Sequence, residues 1–323
     1  MKQHTFELNH QSQWEELEQW INHLDKRKLI KGQKMNQFPS LYRQICQHLA
    51  LARDRHYTPQ LIERLNRLVL RGHQHFYQTP SRLWVKMINF MGADFPNSVR
   101  RESRLVMLSG FLFFGSLLGM FVSIQINPDL IYSLMTTEEV ENFADMYNPT
   151  SEHFGSNRES DSDFVMFGFY IYNNIGIGFQ TFASGILFGL GTLFFIIFNG
   201  LYIGCLASYL THIGYIVPFY SFVVGHSALE LIAIVFAGAA GLKLGLALIA
   251  PGRLTRLHAL RNAATESISL IYGVILMLLL AAFVEAFWSS NTAIAPHSKY
   301  IVGGCLWLGV ISYFIWVGRN RAI

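Results

Sequence analysis

From residue 105 onward the chain is written in long apolar blocks. Residues 105–126 form the clearest one, 22 positions without a charge. At 1.5 Å per residue a helix of that length crosses the ~30 Å hydrocarbon core of a bilayer. Further blocks at 183–210, 268–288 and 300–317 predict transmembrane helices in the same way. The block 215–250 is equally apolar but is interrupted near its middle by Gly225-His226-Ser227-Ala228-Leu229-Glu230. Residues 164–182 contain Asn173, Asn174, Gln180 and Thr181 among apolar neighbours, and read as an interfacial or partly inserted helix.

The first hundred residues follow another rule. Trp14, Leu17, Ile21 and Leu24 recur at helical spacing, as do Leu41, Ile45, Leu49 and Ala52. Thr58-Pro59 is a helix start, a capping hydroxyl followed by proline at the first helical position, and Leu61, Leu65, Leu68 and Val69 continue from it. This predicts a small helical bundle. In 80–91, Leu83, Trp84, Met87, Ile88 and Met91 share a face, with Arg82 and Lys86 elsewhere on the helix. Arg100, Arg101 and Arg104 follow. Such a basic amphipathic helix either lies on anionic lipid or packs on the bundle.

Charge sets the orientation. Residues 1–104 hold 17 Lys/Arg against 9 Asp/Glu, whereas residues 127–163 hold 9 acids and the single base Arg158. Basic flanks stay in the cytoplasm. The N-terminal domain, 1–104, is therefore expected inside and the acidic loop 127–163 outside, with the first span as an uncleaved insertion signal. Arg253, Arg256 and Arg261 mark the loop after 250 as cytoplasmic, and Arg319 and Arg321 place the C-terminus there too. If 164–182 does not cross, 215–250 must start and finish inside, which suits a re-entrant hairpin or a pair of short broken helices. The expected fold is all-α: a polytopic helical membrane protein of the inner membrane with a broken segment and a cytoplasmic helical domain.

Small residues recur four apart at Gly115/Gly119, Gly185/Gly189, Gly200/Gly204 and Gly241/Gly245, a spacing that lets helices pack closely and that suits internal packing or a homodimer. Ionisable residues in apolar blocks are His226, Glu230, Lys243 and Glu285. His226 and Glu230 lie on one helix face. They suit a structural pair, a proton relay or a cation site; Asn173, Asn174 and Asn199 are further polar points. Glu285 is expected to reach the outer interface and Lys243 to snorkel inward. Cys46, Cys205 and Cys305 are scattered and suggest no disulfide framework. Signatures of zinc hydrolysis, phosphate binding or a serine nucleophile are missing, so no catalytic residue, metal or cofactor is expected. The basic run carries no nucleic-acid motif.

The series Asn173-Asn174, Gly185-x-x-x-Gly189 and Asn199-Gly200-x-x-x-Gly204 resembles the stage II sporulation protein M family. So does His226-x-x-x-Glu230 followed by Ala237-Gly238-Ala239-Ala240-Gly241-Leu242 and Pro251-Gly252. Leu41-Tyr42-Arg43, Ala52-Arg53, Leu65-Asn66-x-Leu68-Val69, His73 and Phe95-Pro96 with Arg100 resemble its longer members from non-sporulating bacteria. The resemblance implies a membrane scaffold in cell-envelope processes, with MoxR-type ATPases and von Willebrand factor A domain proteins as partners. A transporter or channel with a polar site at His226/Glu230 is the alternative. The family's namesake lacks the long cytoplasmic extension seen here, and no catalytic residue carries over.

Overall fold

The computed structural model describes residues 2–25, 38–77, 83–149 and 160–319. Arg82, Arg321 and residues 150–159 of the acidic loop lie outside them, as does the side chain of Leu24. Among the described residues the protein is all-α, in two compact units that divide after Lys86.

The N-terminal unit holds α1 (Gln3–Asp25), α2 (Phe38–Asp54) and α3 (Pro59–Tyr77). The apolar faces read from the sequence meet in one core, with Trp14, Leu17, Ile21, Ile45, Ala52 and Leu65 fully buried. Thr58 precedes α3 as expected, but its hydroxyl accepts from Gln3 Nε2 at 2.8 Å, so it joins α1 to α3 instead of capping the first turn.

The break after Lys86 moves the boundary from residue 104. The reason is α5 (Phe95–Arg101), which packs inside the membrane unit. The Phe95 ring is buried edge-on against Phe236 and Phe314, on the space that Gly273 leaves free. Before it, α4 (Leu83–Asn89) buries none of its residues. A π-helical turn, Phe90–Asp94, joins the two.

Among the described residues, five helices are long and apolar enough to cross a membrane: α6 (Ser103–Ile126), α9 (Leu190–His212), α10 (Ile216–Ile249), α11 (Arg256–Val284, prolonged by a π-helical turn to Ser289) and α12 (Pro296–Trp316). The expected break in 215–250 is absent, and α10 is one continuous 34-residue helix. Backbone groups at membrane depth must be satisfied within the protein, and unbroken helix does this most cheaply. Gly225 and Ser227 serve packing here. Gly225 faces the Trp288 ring, and Ser227 Oγ accepts from Trp307 Nε1 at 3.2 Å. α10 is the central element, touching α6, α8, α9, α11 and α12.

The polar stretch after the acidic loop is helical throughout, as α8 (Ser160–Ala183). It runs antiparallel to α11, from Phe164 against Phe287 to Gly178 against Leu278. A 3₁₀ turn (Ser184–Ile186), Phe188 and Gly189, the last two at positive φ, reverse the chain into α9. The span expected at 183–210 therefore starts seven residues later, at Leu190. Contacts set the directions of the rest. Gly200 and Gly204 lie on Phe113–Leu117, so α9 is parallel to α6. Gly303 and Trp307 lie on Val224 and Ser227, so α12 is parallel to α10. Thus α6, α9 and α11 point one way and α8, α10 and α12 the other.

The segment after α6 is an ordered cap. A 3₁₀ turn (Pro128–Ser133) and α7 (Thr137–Tyr147) bury Ile131, Met135 and Val140 against Ile124 and Cys205. Thr136 and Glu139 close a reciprocal capping box, with Thr136 N–H donating to Glu139 at 2.8 Å.

Candidate functional site

The polar residues of the membrane unit gather near its α7-side end. His226 and Glu230 stand one turn apart on α10, with Nε2 and Oε2 3.8 Å apart. Glu285 arrives from α11, where the π-helical turn Glu285–Ser289 begins. Such turns recur at functional sites because they re-aim side chains out of α-helical register. Here Glu285 and Ser289 both face α10. One imidazole nitrogen and one oxygen from each carboxylate lie within 4.8 Å of one another. His226 and Glu285 are 4% and 8% exposed. Glu285 was expected at the interface and is instead enclosed.

Neighbours orient these groups. Asn174 of α8, itself buried, donates from Nδ2 to Glu285 Oε2 at 3.4 Å, and Asn173 donates to Asn174 Oδ1 at 3.1 Å. Ser289 Oγ meets His226 Nδ1 at 3.2 Å. The His226 ring also packs edge-on against Phe222. Tyr147 of α7, edge-on to Phe219 and Phe222, stands on the α7 side of the cluster. Burial, with Tyr170, Glu285 and Glu230 close by, pushes its phenol well above the ordinary range. Among the described residues Glu230 accepts no hydrogen bond and Glu285 accepts one.

Asn199 does not join the site; it donates to the Phe195 carbonyl of its own helix at 2.7 Å. Lys299 escaped the sequence reading because it precedes the last apolar block. It is buried on α12, and its Nζ donates to the Ser289 carbonyl at 2.6 Å. Ser289 and Tyr147 were missed too; both stand in ordinary loop-like contexts in the sequence. His226 links Ser289 to Glu230 in the order of a hydrolytic triad. However, Ser289 is 1% exposed and meets Nδ1 while Glu230 lies at Nε2, the reverse of the nitrogens a serine triad uses.

Elsewhere, Lys243 is held by two carboxylates. Its Nζ lies 2.6 Å from both Glu102 and Glu266, joining the start of α6 to α10 and α11. Of the basic residues expected at the lipid surface, Lys86 and Arg104 are exposed, while Arg100 and Arg101 are engaged. Arg100 donates to the Phe314 carbonyl at 2.8 Å and Arg101 to the Glu266 carbonyl at 3.0 Å. The glycines divide similarly. Gly185 meets the Gly241 backbone, Gly189 meets Gly245, and Gly200 and Gly204 meet α6, whereas Gly115 and Gly119 face open space.

A core of long apolar helices around a buried polar cluster defines a polytopic helical membrane protein. The family model of stage II sporulation protein M matches residues 107–290, more than half of the chain, and the protein belongs to that family. Residues 4–78 match a second model, described as a domain of unknown function. No curated protein and no solved structure matches the chain.

Proposed function

We propose that this protein is a non-enzymatic scaffold of the bacterial cytoplasmic membrane. Its N-terminal helical unit binds partner proteins, and its membrane unit is the platform that anchors them. The observation that carries this reading is the closure of the platform by glycine. Gly185 and Gly189 sit against Gly241 and Gly245 with no side chain between them. Helices locked backbone to backbone cannot slide without opening voids, which suits a part that holds position. By family resemblance the partners are MoxR-type ATPases and von Willebrand factor A domain proteins of the cell envelope.

The proposed orientation rests on the charge of the flanking segments, and the alternating helix directions support it. With α8 as a sixth crossing, residues 127–163 lie outside, the arginines at 253 and 256 lie inside, and both termini are cytoplasmic. Crosslinking in native membranes tests the scaffold. Partners should be captured by the full chain and lost from a chain lacking residues 2–77 that still inserts. An unchanged partner set after that deletion would refute the assignment.

Transport is the second reading, and the His226/Glu230/Glu285 cluster favours it. It requires solute or proton flux in proteoliposomes that Glu230→Gln abolishes in a normally folded protein. A Glu230→Gln chain that assembles and works as wild type leaves only the scaffold.

A further inference from the structure

We propose that His226, Glu230 and Glu285 bind a divalent first-row transition metal ion between α10 and α11. The inference is independent of the scaffold reading, because an ion that pins two helices serves a platform or a transporter alike.

Geometry is the first support. Three donor atoms no more than 4.8 Å apart lie on a triangle whose centre is at most about 2.8 Å from each corner. Bonds from zinc to nitrogen and oxygen are ~2.0–2.2 Å. Inward shifts of well under an ångström by three side chains therefore complete a first shell. The 3.8 Å separation of His226 Nε2 from Glu230 Oε2 is too long for a hydrogen bond, yet close to the edge of such a polyhedron.

The second support is an unpartnered donor. The His226 ring is more than nine-tenths buried, and its Nδ1 is occupied by Ser289 Oγ. With Nδ1–H donating to that hydroxyl, Nε2 turns a free lone pair toward Glu230. A metal-binding histidine is held in this way, its second nitrogen fixed by an outer hydrogen bond. Asn174 plays the same part for Glu285 at 3.4 Å.

Charge supplies the third. Two carboxylates this close in a low-dielectric surrounding repel and require a cation or a proton. Among the described residues, neither carboxylate has a Lys or Arg within ion-pair distance. One divalent ion neutralises both. A mixed imidazole and carboxylate set suits zinc, iron or manganese better than the all-oxygen shells of calcium and magnesium.

Zinc binding to the full-length, metal-stripped protein in detergent tests the assignment, using a tag without histidines. The wild type should take up one strongly held Zn²⁺ per chain and melt at higher temperature with it. X-ray absorption should show one imidazole and oxygen donors at about 2.0–2.1 Å. Glu285→Gln and His226→Ala should remain monodisperse and lose that ion and the melting shift. Ser289→Ala, which removes only the orienting hydroxyl, should weaken binding ~10–100-fold. Zinc retained equally by Glu285→Gln and His226→Ala would place it elsewhere and overturn the site. No strong uptake by the wild type, or uptake of magnesium or calcium alone, would overturn it too.

Discussion

A methyl group distinguishes the glycines that close the platform from those that do not. At Gly185 an added Cβ would overlap the Gly241 carbonyl, which belongs to a helix backbone and cannot turn aside. Gly185→Ala should therefore destabilise the membrane unit by about 1–3 kcal/mol, the usual cost of overpacking. Gly115→Ala and Gly119→Ala meet nothing within 4 Å and should be neutral or stabilising by up to ~1 kcal/mol through helix propensity. Thermal unfolding in detergent reads both. His48 tests the N-terminal unit. Burial first, and nearby His10 second, lower its pKa to about 4. An unfolded histidine takes its proton near 6.5. Between these values the unfolded chain binds the extra proton, so stability is whole above pH ~6.5 and falls as pH drops toward 4. Hydrogen exchange across α1 and α2 of the full chain should accelerate in that window. His48→Gln, which keeps an acceptor for Trp14 Nε1, should flatten the dependence.

Among elements, the joint of α6, α10 and α11 is electrostatic. Lys243 and Glu102 are each mostly buried, at 15% side-chain exposure, and pair at 2.6 Å. Removing the lysine leaves the Glu102 carboxylate with only the half-exposed Arg101 guanidinium, 3.3 Å away, and breaking a buried pair from one side costs up to about 3–5 kcal/mol. Lys243→Met should lower the melting temperature strongly. Glu266 is 56% exposed at the same distance from Lys243, so Glu266→Gln should cost under ~1 kcal/mol. Equal losses from the two variants would contradict this division. The cap helix α7 shows a local counterpart. The Thr136 backbone and hydroxyl, both donating to Glu139, hold that carboxyl below its usual range. Thr136→Ala should fray the first turn of α7, seen as faster exchange over residues 137–140.

For the whole molecule, six crossings and five predict different sides for the C-terminus. Cysteine labelling of intact cells in a background lacking Cys46, Cys205 and Cys305 separates them. Asn142→Cys on α7 should label at once, and Arg253→Cys only after permeabilisation. Labelling of Arg253→Cys in intact cells would remove α8 from the crossings and put the 250–255 turn outside.

Which parts were legible in the sequence follows from where each kind of energy resides. Hydrophobic transfer adds residue by residue, so the apolar blocks at 105–126, 268–288 and 300–317 announced helices within a few positions, apart from an early start to α11. The periodic faces of α1 to α3 were equally plain, because one face of each had to be buried. The pair His226/Glu230 was visible through its i, i+4 spacing. The tertiary structure alone decided that α10 is unbroken, since its Gly and Ser residues read as a break until Trp288 and Trp307 were seen to pack there. It also made α8 a full helix, because Asn174, costly in lipid, is enclosed against Glu285, 111 residues away. Lys299, Ser289 and Tyr147 joined the site for the same reason. Contacts across helices depend on how each is rotated about its axis, and that rotation is set by glycine-to-glycine packing between distant segments, which no local pattern encodes.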